Sequence, residues 1–154
     1  MTVICWDGKT LASDSRMTDD CGITQCRKIY RLTNGSLFGG AGDAGYCALV
    51  RDWLCSGANI KTRPDRSKYE HACFGGILIS PNGDCSGIDP YLASIPISAK
   101  CYAIGSGAAH ALALMSTGMT SGQAVAHIIA HQLADGVGGE VQTLDLLRRR
   151  KSKS

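Results

Sequence analysis

The chain has 154 residues, 44% of them hydrophobic and 19% charged, with a formal net charge of +3. That is the size of one ordinary domain with enough apolar material for a core, which excludes an intrinsically disordered chain. No apolar run reaches the length of a membrane-spanning helix and no basic-then-apolar leader is visible, so a cytoplasmic protein without a membrane partner is expected.

The runs TVICW (2–6) and KTLAS (9–13) flank Asp7-Gly8, which predicts a hairpin with a type I′ turn, because both central residues of that turn need positive φ. KIYRL (28–32), then Thr33-Asn34-Gly35, then SLFGG (36–40) predicts a second hairpin. Helical spacing of Cys47, Val50, Trp53 and Leu54 predicts a helix over 44–55, and 56–70, polar and holding Pro64, reads as loop. ACFGGILIS (72–80) is a buried strand, 81–84 a turn, and CSGID (85–89), a weak segment near 95–97 and KCYAIGSG (100–107) further strands. Helices are predicted over 106–118, closing on Gly118, and over 120–136, opening on a Thr or Ser cap and closing on Gly136. EVQTLDL (140–146) alternates as a last strand. Hairpin-grouped strands with segregated helices predict α+β layers in a single domain over 1–147. The tail 148–154 holds five of the sixteen Lys and Arg residues and stands apart as a basic, solvated end. No aromatic or helical pattern accompanies it, so a nucleic-acid partner is not expected.

Thr2 follows the initiator methionine, and methionine aminopeptidases remove that methionine when a small residue follows. Removal would place an α-amine and a hydroxyl on one residue. An α-amine titrates near ~8, so it can act as general base for its own hydroxyl. The competing reading of Thr2 is an ordinary β-branched strand residue. The predicted hairpin sets Thr2 beside Ser13 and Asp14, and Lys28 precedes another strand, so a carboxylate and an ammonium could flank the terminus. A nearby cation would keep the amine neutral and basic. The competing reading is an ordinary surface ion pair.

TVICWDGKTLASDSRMT, CRKIYRL and LFGGAGDAGYCALVRDWL together resemble the β-type subunits of proteasomes, and within them the short bacterial and phage-encoded relatives of the heat-shock-locus peptidase. The resemblance covers roughly 2–55 and 98–146. It implies an N-terminal-nucleophile hydrolase fold, a four-layer αββα sandwich of two antiparallel sheets. By position it implies Thr2 as nucleophile, Asp14 as the carboxylate holding the catalytic Lys28, and Thr18 as a backbone partner of the substrate. Gly40 is favoured as the oxyanion donor, with Ala41 and Gly42 as alternatives. Thr18, Arg27 and the 41–45 segment are candidates for the substrate side-chain pocket. Ser106 matches the serine near the terminal amine, and Asp135 the aspartate that orients it. The chain departs from the family in two places. The interval from Thr2 to Asp14 is shorter, and Val137 stands where the proteasome branch has a serine before its double glycine. The implied activity is a threonine endopeptidase in a self-compartmentalised homo-oligomeric ring, acting on peptide or unfolded protein, with no cofactor and no metal. Any ATPase unfoldase would be a separate protein, since the chain has no nucleotide-binding motif. An inactive ring-forming structural or binding subunit and an acylase on a small amide are the alternatives.

Rival sites are weaker. His127 and His131 share a helix face at a metal-ligand spacing, yet Ile128 stands where a zincin needs Glu. Val125, Ile128, Ile129 and Leu133 mark the core face and leave the histidines on the polar side. IGSGAAH (104–110) lacks the Lys and Ser/Thr of a phosphate loop. The eight cysteines form no CxxC pair and read as reduced thiols used as small hydrophobes.

Overall fold

Alternation along the first strands decides how the molecule is layered. The computed structural model describes residues 1–147, and the basic tail 148–154 lies outside the described residues. Eleven strands and three helices follow in order: β1 (Ile4–Trp6), β2 (Thr10–Ser13), β3 (Arg16–Asp19), β4 (Gly22–Gln25), β5 (Ile29–Arg31), β6 (Leu37–Gly42), α1 (Ala44–Cys55), β7 (Phe74–Ile79), β8 (Cys85–Ile88), β9 (Ser94–Ile97), β10 (Tyr102–Ile104), α2 (Ala108–Ser116), α3 (Ser121–Ala130) and β11 (Gln142–Asp145). Two antiparallel sheets carry the fold, one ordered β10-β1-β2-β11 and the other β5-β6-β7-β8-β9.

Successive side chains of a strand face opposite ways. Ile4, Trp6 and Leu11 therefore pack on Ile29, Leu37, Ile77 and Ile79 of the other sheet, while Val3, Cys5 and Ala12 pack on Ala111, Met115, Ala124, Val125 and Ile128 of α2 and α3. On the far side of the second sheet, Phe38, Phe74 and Ile88 meet Tyr46 and Val50 of α1. The layers are thus helices, sheet, sheet, helix, the αββα sandwich expected.

Local chemistry accounts for the helix starts. Asp43 Oδ1 accepts from Tyr46 N at 2.7 Å and caps α1. Thr120 and Gln123 form a reciprocal capping box at α3, which resolves the choice between Thr and Ser. The predicted continuation of α3 to Gly136 is overturned. The helix stops at Ala130, where Gln132 takes φ 50° and the Gln132 and Leu133 N–H groups return to Ile129 and Ile128 oxygens, a Schellman ending without glycine.

The first hairpin also differs from expectation. Asp7 N donates to Thr10 O, so the two central residues are Gly8 and Lys9. Only Gly8 has positive φ, at 96°, the pattern of a type II′ rather than a type I′ loop. Asp7 Oδ1 accepts from Lys9 N and Thr10 N instead of adopting positive φ. The pairing becomes Ile4 with Ser13, which moves the register by two residues from the predicted one. A two-residue shift returns each side chain to its own face, so the layer assignment survives the error. The hairpin of β3 and β4, exposed along most of its length, has no counterpart in the sequence reading, because its strands lack an apolar face.

Asp7 ties this hairpin to α3, accepting from Ser121 N at 2.8 Å through Oδ2. Burial acts to raise its carboxyl, but the N–H groups of Ser121, Thr10 and Lys9 outweigh it and hold the carboxyl below the ordinary value. A depressed folded-state value stabilises above the unfolded value and is lost as pH falls through the folded one. In urea unfolding, the stability difference between the wild-type protein and Asp7→Asn is expected to shrink as pH is lowered from neutral to below 3.8.

Candidate active site

The site forms where β1, β2 and β5 end together. Beyond the β1–β2 pairing, Asp14 N donates to Val3 O, which carries the ladder one step further and sets Asp14 beside the N-terminal segment. Asp14 is fully buried, and Thr2 and Lys28 are each 8% exposed. A buried carboxylate must be paired and hydrogen-bonded to be tolerated. Its Oδ1 accepts from Lys28 Nζ at 2.9 Å and from Val3 N at 3.2 Å, and its Oδ2 from Gly138 N at 3.0 Å.

Lys28 Nζ spends its three donors on Asp14, on Thr2 Oγ1 at 2.9 Å and on the Met1 carbonyl at 3.2 Å. Its backbone is placed by Gln142 of β11. The Gln142 amide donates to Cys26 O at 2.8 Å and accepts from Lys28 N at 3.1 Å and from Ser13 Oγ at 3.5 Å. Ser106 closes the other side, with its Oγ 3.3 Å from Thr2 N and 3.4 Å from Thr2 O. The turn that carries Ser106 lies against the first residues of the chain. A Cβ on Gly105, which has φ 89°, would stand 2.1 Å from Thr2 O, so this glycine is required by close backbone approach and not by a phosphate.

The structure therefore brings Thr2, Asp14, Lys28 and Ser106 together. Thr2 also sits between two cavities. One, of about 490 Å³, is lined by Thr2 with Lys28, Thr18, Arg27, Gly40 and α1. The other, of about 480 Å³, is lined by Thr2 with Ala41, Gly42, Phe74 and Ser106. Gly40 and Ala41, adjacent on β6, thus face different spaces around one hydroxyl. The position of Gly40 leaves no room for a side chain, since a Cβ there would lie 2.9 Å from Cys47 Sγ.

Asp135 is exposed, and no hydrogen bond joins it to Ser106 among the described residues. The early end of α3 changes the path of the chain before it. Met1 fills space next to the following residue, since a Cβ on Gly136 would lie 2.7 Å from Met1 Cβ. No local pattern in the sequence marks Gly138 or Gln142 as part of the site. Gln142 and Gly138 reach Lys28 and Asp14 across 114 and 124 residues, and no spacing rule links positions so far apart. A polar glutamine opening an otherwise alternating strand was the one available signal.

A neutral hydroxyl within hydrogen-bond reach of a buried ammonium, itself fixed by a buried carboxylate, can be polarised toward alkoxide without a bulk-water shell. The two thiols of the larger cavity offer no such nucleophile. Burial, with the Asp43 carboxylate adding to it, pushes the Cys47 thiol in the larger cavity up to about 12, and burial also raises Cys26. The His127 and His131 rings stand 4.3 Å apart on α3, but no cluster of three or more metal-ligating side chains occurs among the described residues. No described helix is long and apolar enough to cross a membrane.

No protein-family model and no curated protein sequence matches the chain. Solved structures do. The fold is similar to that of BPH from Thiobacillus denitrificans in complex with epoxomicin, at 18% identity and a TM-score of 0.67, covering 96% of this chain and 100% of that one. It is similar as well to HslV from Trypanosoma brucei, at 18% identity and a TM-score of 0.65, covering 94% of this chain and 97% of that one. At this identity the likeness concerns the fold.

Proposed function

We propose that the chain is a threonine peptidase that hydrolyses peptide bonds with Thr2 as nucleophile after removal of Met1, within a ring of its own copies. One observation carries the reading: Lys28 Nζ stands 2.9 Å from both the Thr2 hydroxyl and the Asp14 carboxylate in a buried setting beside two cavities. The likeness in fold to HslV supports it.

In this mechanism Thr2 Oγ attacks the scissile carbonyl carbon. The freed Thr2 amine takes the hydroxyl proton and later delivers it to the departing peptide nitrogen. Lys28, fixed by Asp14, stabilises the developing alkoxide, and Ser106 holds the amine. Gly40 N–H binds the tetrahedral oxyanion, a type of donor whose loss costs about 100- to 1,000-fold in rate. Thr18 and Ala41 line the two sides of the substrate path. Water then attacks the threonine ester, releasing the second product and restoring the hydroxyl. An ATPase that unfolds substrates would be a separate protein.

Retention of Met1 in the mature protein would favour a second reading, a catalytically silent ring subunit, because Thr2 N would then be a peptide nitrogen and Lys28 would be engaged by the Met1 carbonyl. Epoxomicin, the compound seen on the similar Thiobacillus protein, separates the two. Mass spectrometry of purified protein is expected to show a terminus at Thr2, and an epoxomicin adduct on the peptide that begins there. A retained Met1 with no adduct would replace the peptidase by the silent subunit.

A further inference from the structure

The larger cavity beside Thr2 is built from small residues near the hydroxyl and from arginines farther out. Gly40 and Gly42 of β6, with Ala44, Cys47 and Ala48 of α1, keep it open. One turn along the same face of α1 stands Arg51, and across the cavity stands Arg27 at the entry to β5. Both guanidinium groups lie over Tyr30, at 4.8 Å for Arg51 and 5.8 Å for Arg27 from the ring centroid. Such stacking orients a guanidinium and leaves its edge donors in plane for a ligand.

Two carboxylates, Asp19 and Asp43, also line the cavity, and each accepts from a backbone N–H instead of an arginine. The Asp43 carboxylate caps α1 by accepting from Tyr46 N, and the Asp19 carboxylate accepts from Cys21 N at 2.8 Å. Lys28 is paired with Asp14. Arg51 directs Nε and Nη2 to Asp52 at 3.0 and 2.9 Å, a carboxylate that lies outside the cavity, and its Nη1 makes no hydrogen bond among the described residues. A lysine or arginine side chain entering here would meet cations, and a leucine would give Arg51 Nη1 no acceptor.

We propose that this cavity takes an acidic side chain, so that the protein cleaves after glutamate or aspartate. Arg51 would be the residue that reads the carboxylate, with Arg27 supporting it at the rim. The proposal rests on the peptidase reading above and names its substrate class.

The test uses full-length protein with Thr2 exposed and three fluorogenic peptides that differ only in Glu, Leu or Lys at the residue before the cleaved bond. The Glu peptide is expected to exceed the Leu peptide in kcat/KM by about 10- to 100-fold, the range of a charge-assisted hydrogen bond. Arg51→Ala is expected to reduce the Glu-to-Leu ratio by about tenfold or more, and Arg51→Glu to move preference toward Lys. Because each reading is a ratio within one preparation, partial misfolding of a variant does not imitate it. A wild-type preference for Leu or Lys, or a ratio unchanged in Arg51→Ala, overturns the acidic pocket and leaves the Thr2 chemistry standing. No cleavage of any of the three overturns both readings together.

Discussion

Thr2→Ala is expected to lower peptide cleavage by about ten-thousand-fold or more, while the protein keeps its fold and its oligomeric state. The substitution deletes the only atom proposed to form a bond with substrate, and losses of that order follow removal of a nucleophile elsewhere. The structural cost is small by comparison. Lys28 Nζ loses one partner at 2.9 Å but keeps Asp14, so the change amounts to about 0.5–1.5 kcal/mol. Hydrolysis of a fluorogenic peptide, with size-exclusion chromatography on the same sample, checks both halves. Thr2→Ser keeps the oxygen and is expected to restore measurable turnover, which separates chemistry from packing. Cleavage that persists undiminished in Thr2→Ala would remove Thr2 from the mechanism.

Lys28→Ala is expected to act on stability and rate at once. It strands Asp14, fully buried, with the Val3 and Gly138 N–H groups as its remaining partners among the described residues. Breaking one side of a buried ion pair costs about 3–5 kcal/mol, a fall in Tm on the order of 10 °C for a chain of this size. Catalysis is expected to drop about 100- to 10,000-fold, since among the described residues Lys28 is the only cation hydrogen-bonded to the Thr2 hydroxyl. The pair Lys28→Met with Asp14→Asn removes both charges. Its thermal loss in scanning calorimetry is expected to be smaller than the sum of the two single losses, while its cleavage stays as low as that of Lys28→Ala. A strictly additive loss would show that the two charges do not act as a buried couple.

Much of this arrangement was open to reading along the chain. Period-two alternation at Val3, Ile4, Cys5 and Trp6 divides one strand between a helix layer and a second sheet, and that division is the sandwich. The caps at Asp43 and Thr120 and the turn residues at Gly8 and Gly35 are local, so their signals lie within a few neighbours. The identities of Thr2, Asp14 and Lys28 were legible for a similar reason. They lie within 28 residues of the start and occur at the ends of readable strands, inside a run that resembles a known family. Register was less secure. The choice between Asp7-Gly8 and Gly8-Lys9 as the central pair depends on whether a carboxylate accepts from backbone N–H groups, which composition does not reveal.

Sequence alone settled the residue types and most of the elements, the β3–β4 hairpin and the end of α3 excepted, because hydrophobic period, capping and turn chemistry act over one or two turns of chain. Only the tertiary structure decided that Lys28 stands at equal distance from a hydroxyl and a carboxylate. It also decided that Gln142 and Gly138 arrive from the far end of the chain to hold them, and that Ser106 bonds to the Thr2 backbone. The reason is physical. Each of those placements is set by closing two sheets on one another, and that closure depends on long-range packing that no local propensity encodes.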